Sequence, residues 1–214
     1  MVIKQFEFNM LPVNTYIIFD KESKDAAIID AGCYFKDECD TLKQYIQENN
    51  LHIKYLLNTH LHFDHIFGNR FIYKEFGIKT YAHRADEDWL THAPQYTRMF
   101  GLEFPGEPVP IGTYLDEGDI LSLGRYTISP IHIPGHSPGS LVLYIPEIGV
   151  LFSGDVLFQG SIGRTDLPGG DHKTLIQGIR SKLMNLPKKT VIYPGHGPST
   201  TIEQEKKWNS YLKD

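Results

Sequence analysis

Residues 59–65 read Thr-His-Leu-His-Phe-Asp-His and follow, after Asn58, on the apolar run Ile53-Lys54-Tyr55-Leu56-Leu57. That run has the length and composition of a buried strand. One strand end therefore carries three histidines and a carboxylate. In an extended segment residues i and i+2 project to the same side, so His60 and His62 can chelate one ion. If the chain turns after His62, Asp64 and His65 can face a second ion close by. Imidazole and carboxylate suit zinc, and also iron or manganese. A plain polar turn does not account for the pattern. Burying such groups between Leu61 and Phe63 without partners costs on the order of a few kcal/mol.

Three further segments share one design, an apolar strand followed by a sharp turn bearing a ligand-type residue. They are Ile131-His132-Ile133-Pro134-Gly135-His136, Val150-Leu151-Phe152-Ser153-Gly154-Asp155 and Val191-Ile192-Tyr193-Pro194-Gly195-His196. Glycine lets the backbone turn sharply and approach closely at each. Taken singly, each is only a Gly-containing turn. Together the four strand ends supply His60, His62, Asp64, His65, His136, Asp155 and His196, enough for two ions with one carboxylate between them.

The surrounding pattern alternates strands and helices. Strands are expected at 2–8, 14–19, 26–30, 53–57, 119–123, 125–133, 140–145, 149–154 and 190–193. Helices are expected over about 36–50, where Cys39, Leu42, Tyr45 and Ile46 recur at helical spacing, and from near Ile66 to a stop at Gly77. Another starts at a cap on Asp171, with Leu175, Ile179 and Leu183 on one face, and a last one closes the chain. The stretch 84–118 holds Pro94, Pro105, Pro108 and Pro110 and reads as short helices in a long excursion. Residues 156–170 read as a Gly-rich loop. Interleaving of this kind predicts an α/β (α+β) class with helix-covered sheets. With 214 residues and no linker or repeat, the chain is expected to form one domain, 1–214.

Composition narrows the function. Hydrophobic residues make up 41% and charged residues 22%, which excludes a disordered chain. A net charge of −5 argues against non-specific nucleic-acid binding. No apolar run approaches the roughly 20 residues of a spanning helix, and Lys4 and Glu7 interrupt the start where a signal peptide would be apolar. A cytoplasmic protein with neither membrane nor nucleic-acid partners is expected. Cys33 and Cys39 lack metal-site spacing and are expected as two free thiols.

The His-x-His-x-Asp-His signature at 60–65, with the later His136, Asp155 and His196, resembles the metallo-β-lactamase superfamily over nearly the whole chain. Pro-Gly-His-Ser-Pro-Gly-Ser (134–140), Ser-Gly-Asp-Val-Leu-Phe (153–158) and Gly-Arg-Thr-Asp-Leu-Pro-Gly-Gly-Asp-His (163–172) resemble its short, single-domain glyoxalase II branch. So does Arg98-Met99-Phe100-Gly101-Leu102. The resemblance implies a four-layer αβ/βα sandwich with two divalent metal ions, zinc foremost, at one edge between the sheets. It implies His60, His62 and His136 on the first metal, Asp64, His65 and His196 on the second, and Asp155 bridging. It further implies hydrolysis of small-molecule S-2-hydroxyacyl thioesters, of the S-lactoylglutathione type, by a metal-bridging hydroxide available near neutral pH. Asp64, while ligating, would orient that nucleophile.

Other residues carry two readings. Asp30, ending a buried strand before a Gly turn, is either a turn residue or the carboxylate that takes the spare N–H of a ligand histidine. Arg164, beyond Asp155, either holds an anionic group of the substrate or pairs internally with Asp166 or Asp171. His52, His83, His92, His132 and His172 are expected outside the metal set, and Tyr193 in packing. The alternative within the superfamily is a persulfide dioxygenase, which the resemblance would give one iron on His60, His136 and Asp155. That would leave His62, Asp64, His65 and His196 without metal. A hydrolase of another thioester, and a metal-stabilised binding module without activity, complete the alternatives. A secreted β-lactamase, a flavodiiron protein, a quorum-quenching lactonase and a ribonuclease fit less well. They would bring, respectively, a signal peptide, a Glu in place of His62, a Tyr just after Asp155, and extra modules with a basic surface.

Overall fold

The computed structural model describes residues 1–213. Two six-stranded sheets lie at its centre. The first is formed by β1 (Val2–Phe8), β2 (Val13–Phe19), β3 (Asp25–Ile29), β4 (His52–Leu57), β5 (Thr80–Ala82) and β6 (Thr113–Tyr114), in that spatial order. Its first three strands are antiparallel, and β3 to β6 run parallel. The second contains β7 (Leu121–Leu123), β8 (Tyr126–His132), β9 (Leu141–Ile145), β10 (Val150–Gly154), β13 (Val191–Pro194) and β14 (Thr200–Thr201). Its order is β14-β13-β10-β9-β8-β7, with only β10 and β13 parallel.

Period-2 alternation sorts each strand's side chains between two cores. Tyr16, Ile18, Ala27, Ile29 and Leu57 of the first sheet meet Ile128, Leu141, Leu143, Ile145 and Phe152 of the second in a central layer. The opposite face of the first sheet, with Ile17, Phe19, Ile28 and Leu56, is covered by Leu42 and Ile46 of α1 (Lys36–Glu48) and Ile72 of α3 (Asn69–Phe76). The opposite face of the second, with Val142, Leu151 and Ile192, is covered by Leu175 of α5 (His172–Gly178) and by Ile179 and Leu183 of the π-turn that extends it. The layers are therefore helix, sheet, sheet, helix. Sheets covered on both faces explain why β2 is buried at every position, apolar from Tyr16 to Phe19 and with Asn14 and Thr15 satisfied by hydrogen bonds to the Pro194 and Asp30 carbonyls.

Several expected elements appear with adjusted ends. The helix expected from Ile66 to Gly77 is two pieces, α2 (Phe63–Ile66) and α3, with Gly77 as a left-handed C-cap at φ 71°. Asp171 caps α5 by accepting from Thr174 N. Residues 202–208 form the closing α6 (Ile202–Trp208). The Gly-rich loop 156–170 contains a small hairpin of β11 (Leu157–Phe158) and β12 (Ser161–Ile162). One expectation is overturned. Residues 87–99 form a single 13-residue helix, α4 (Glu87–Met99), with Pro94 inside it. Proline normally breaks a helix by removing one hydrogen bond and crowding the preceding turn. Here Trp89, Leu90, Ala93 and Thr97 form a buried face on Leu61, Phe63 and Phe67, and that tertiary packing outweighs the local cost.

Cys33 and Cys39 are free thiols. Among the described residues, no helix is long and apolar enough to cross a membrane.

Candidate metal centre

Every cluster residue stands at the C-terminal edge of a strand or in the turn beyond it. His60 and His62 follow β4 in extended backbone, and α2 then begins at Phe63, so the chain turns just where Asp64 and His65 need it to. His136 follows β8, Asp155 follows β10 and His196 follows β13. Close approach is possible because Gly195 has no side chain. A Cβ there would strike Asp155 Oδ1 and lie 2.7 Å from His65 Cε1.

The structure brings all seven residues together. His60 Nε2 and His136 Nε2 are 3.2 Å apart, and these two with His62 form one group of converging donors. His65 Nε2 and His196 Nε2 are 3.3 Å apart and form a second group with Asp64. The Asp64 carboxylate lies 3.5 Å from His196 Nε2 and 3.7 Å from His65 Nε2. Asp155 stands between the groups. Its Oδ1 is 3.5 Å from His65 Nε2, and its Oδ2 is 3.6 Å from both His136 Nε2 and His196 Nε2.

Hydrogen bonds behind the rings set their tautomers. His136 Nδ1 donates to the Arg164 carbonyl at 2.8 Å, and His196 Nδ1 donates to the Pro12 carbonyl at 3.0 Å. His65 Nδ1 donates to Asp30 Oδ2 at 3.1 Å. Thr59 Oγ donates to that same carboxylate at 2.6 Å, which leaves its oxygen to accept from His60 Nδ1 at 3.1 Å. Four Nε2 atoms are thereby turned toward the centre. Asp30 is thus a partner of His65 rather than a plain turn residue, held at a φ of 50°.

These residues fit a metal. With both Nδ1 atoms carrying hydrogen, the Nε2 lone pairs of His60 and His136 face each other at 3.2 Å, a repulsive contact that a shared cation would reverse. Two imidazole nitrogens on one tetrahedral zinc, each about 2.0–2.1 Å from it, stand roughly 3.3 Å apart. Asp155 Oδ1 and His62 Nε2 are buried without a hydrogen-bond partner in the protein. Burial, then the neighbouring His65, His62 and His136, holds His60 well below the usual imidazole value. Burial, with His136 beside it, brings His62 to about 3. Burial acts to raise Asp155, but His65, His196 and His136 draw its carboxyl well below the usual range. Burial presses His65 downward, and Asp155 and Asp64 more than offset it, so that ring is raised well above its ordinary value. The carboxylate group demands positive charge, and a cation displacing the His65 proton satisfies it.

Arg164 has the internal partner. Its Nε and one Nη each donate to Asp166 at 2.8 Å in an exposed bidentate pair. Arg164 is nevertheless among the residues lining the cavity above the cluster, a space of about 580 Å³. Asp64, Asp155, His62, His136 and His196 reach the same cavity, whose walls include Leu11, Trp89, Tyr96, Phe100 and Leu167.

The five histidines expected outside the set are outside it. His132, for example, stacks on His83 with ring centroids 4.0 Å apart and donates to the Pro138 carbonyl. Tyr193 packs against Tyr16 and Phe152. Sequence reasoning missed Thr59, Trp89 and Asp86. Trp89 of α4 sits edge-on to His62, with ring centroids 4.3 Å apart. Thr59 could have been suspected from its place beside His60, whereas nothing local marks the other two.

The chain is similar to known proteins in both sequence and fold. The family model described as the metallo-beta-lactamase superfamily matches residues 9–196. A Haemophilus influenzae protein named hydroxyacylglutathione hydrolase GloC is 41% identical over 200 residues, covering 93% of this chain and 92% of that one. The bovine mitochondrial persulfide dioxygenase ETHE1 is 28% identical over 206 residues, covering 92% of this chain and 70% of its own. Among solved structures, the B3 metallo-beta-lactamase BLEG-1 superposes with a TM-score of 0.87 at 37% identity over the full length of both chains. TTHA1623 in a di-iron-bound form gives 0.85 at 35% identity, covering 98% of this chain and all of that one.

Proposed function

The chain belongs to the metallo-beta-lactamase superfamily, and from that premise we propose that it is a dinuclear metallohydrolase of small-molecule thioesters, its substrate an S-2-hydroxyacyl thioester of the S-lactoylglutathione type. The observation that carries this reading is the position of Asp155, its two oxygens shared between two separate histidine groups. The likeness to a hydroxyacylglutathione hydrolase supports the substrate class. The catalytic unit is taken as the single domain 1–214, and its setting as cytoplasmic.

His60, His62 and His136 would hold one divalent ion, Asp64, His65 and His196 the other, and Asp155 both. Zinc suits this nitrogen- and carboxylate-rich set, and the di-iron form of a relative makes iron the other candidate. When bound, such ions acidify water toward neutral pH and polarise a carbonyl oxygen. The protein's own groups do the rest. Asp64 accepts a hydrogen bond from the attacking water or hydroxide at a carboxylate oxygen and so aims its lone pair at the thioester carbon. Trp89, Tyr96 and Phe100 wall the cavity and exclude bulk water from the reacting bond. Asp30, Thr59, the Arg164 carbonyl and the Pro12 carbonyl hold four rings in place through Nδ1. The departing thiolate is stable enough to leave without a dedicated acid.

The test pairs metal analysis with two assays on the same preparation: thiol release from S-lactoylglutathione, and oxygen uptake with glutathione persulfide. Two ions per chain and thioester cleavage are expected. Rapid oxygen uptake by iron-loaded protein with negligible thiol release would instead make it a mononuclear-iron dioxygenase on His60, His136 and Asp155. Metal retention without either activity would make it a binding module.

A further inference from the structure

We propose that Asp86 is a positioning residue for the ion assigned to His60, His62 and His136, clamping the two turns that carry them into one unit. The inference rests on the metal-centre reading above. Asp86 closes a short 3-10 turn, Arg84–Asp86, just after β5, and is fully buried. Its Oδ2 accepts from Leu61 N at 3.1 Å and from Ser137 Oγ at 2.8 Å, and its Oδ1 accepts from Gly139 N at 2.6 Å.

The partners give those contacts their meaning. Leu61 lies between His60 and His62, on the turn that leaves the first sheet. Ser137 follows His136, on the turn that leaves the second. One carboxylate therefore joins ligand turns from both sheets, and the three residues it brackets are those of a single metal group. No comparable link runs from Asp86 to Asp64, His65 or His196. The approach is tight by construction: a Cβ at Gly139 would lie 2.7 Å from Asp86 Cγ. Ser137 Oγ also lies 2.8 Å from Ser140 Oγ, which fixes its orientation toward the acid.

The chemistry calls for a carboxylate rather than an amide. All three partners arrive as donors, and an ionised carboxylate is acceptor-only. An amide of the same shape would turn an NH2 against one of them and leave a buried donor opposed. Outer partners of metal-binding histidines typically change metal affinity by about 10–100-fold when lost.

Stepwise zinc titration of chelator-stripped protein, read against a chromophoric competing chelator, tests the proposal without reference to turnover. In Asp86→Asn one of the two binding steps should weaken about 10–100-fold, with the other unchanged. Ser137→Ala removes one donor only and should weaken the same step by less, so it carries the test if Asp86→Asn does not fold. A merely structural Asp86 would lower the unfolding temperature and leave both binding steps alone, or weaken both equally. Either result in folded protein overturns the proposal while the metal-centre reading stands. A wild-type protein that takes up no metal overturns both.

Discussion

His65 Nδ1 donates to Asp30 Oδ2 at 3.1 Å, joining residues 35 positions apart, one just after β3 and the other in α2. The same carboxylate accepts from Thr59 N at 2.8 Å and Thr59 Oγ at 2.6 Å. Asp30 thus holds the backbone just before His60 and the ring of His65 together, one residue from each histidine group.

Asp30→Ala should be costly for two reasons. It leaves three buried donors without an acceptor, each worth about 1–3 kcal/mol, and it places alanine at a φ of 50°, a strained value for a residue with a Cβ. Asp30→Asn avoids the backbone strain, because asparagine tolerates that conformation. Chemical denaturation should show a loss of at least about 3 kcal/mol for the alanine variant and less for the asparagine one. Equal stability of both with wild type would remove Asp30 from its supporting role.

Asp155→Asn should lower metal content at both groups together, since each Asp155 oxygen lies against histidines of one or both. Elemental analysis should fall from near two ions per chain to below one, with hydrolysis reduced more than about 100-fold, beyond the usual cost of an outer partner. Loss of a single ion with the other fully retained would show that Asp155 serves one group only.

Arg164→Ala tests whether an ion pair on the cavity rim also reads substrate. The pair with Asp166 is exposed, so its removal should change stability by no more than about 1 kcal/mol. The KM for S-lactoylglutathione should rise with kcat nearly retained, the signature of lost uniform binding. A KM unchanged across several acyl thioesters would assign the side chain to Asp166 alone.

Asp20 gives a pH test away from the metals. Hydrogen bonds from Glu22 N and then from Arg125 hold its carboxyl down at about 2, against an ordinary 3.8. A depressed folded-state pKa adds stability that is fully present above the unfolded value and is lost as pH falls through the folded one. Wild-type stability should therefore decline more steeply than that of Asp20→Asn between about pH 4 and pH 2. Urea unfolding of the two proteins across that range measures the difference in slope, and parallel curves would contradict it.

Much of the site was legible before the fold was known, because its signals are local. His60, His62, Asp64 and His65 lie within six residues after an apolar run, and each later ligand-type residue follows a strand and a glycine. Asp30 could be suspected on general grounds, since a metal-binding histidine needs a partner for its second nitrogen. The helix over 87–99 was not legible, because the energy that overrides Pro94 comes from Leu61, Phe63 and Phe67, outside the segment. Arg164 had two chemically equal uses, and the structure shows one of them directly, the pair with Asp166.

Asp86 marks the limit. Its acceptors meet Leu61, Ser137 and Gly139, which are 25, 51 and 53 residues away. Nothing in Arg84-Ala85-Asp86 distinguishes that carboxylate from any acid at a helix start. The sequence by itself determined the ligand types, the strands that carry them and the glycines that let them converge, because periodicity and turn chemistry act over a few residues. Only the tertiary structure decided which nitrogen of each ring faces the centre, which carboxylate stands between the histidine groups and which acid ties the two sheets together. Those outcomes depend on distances between groups that share no local pattern, and packing of the two sheets sets them.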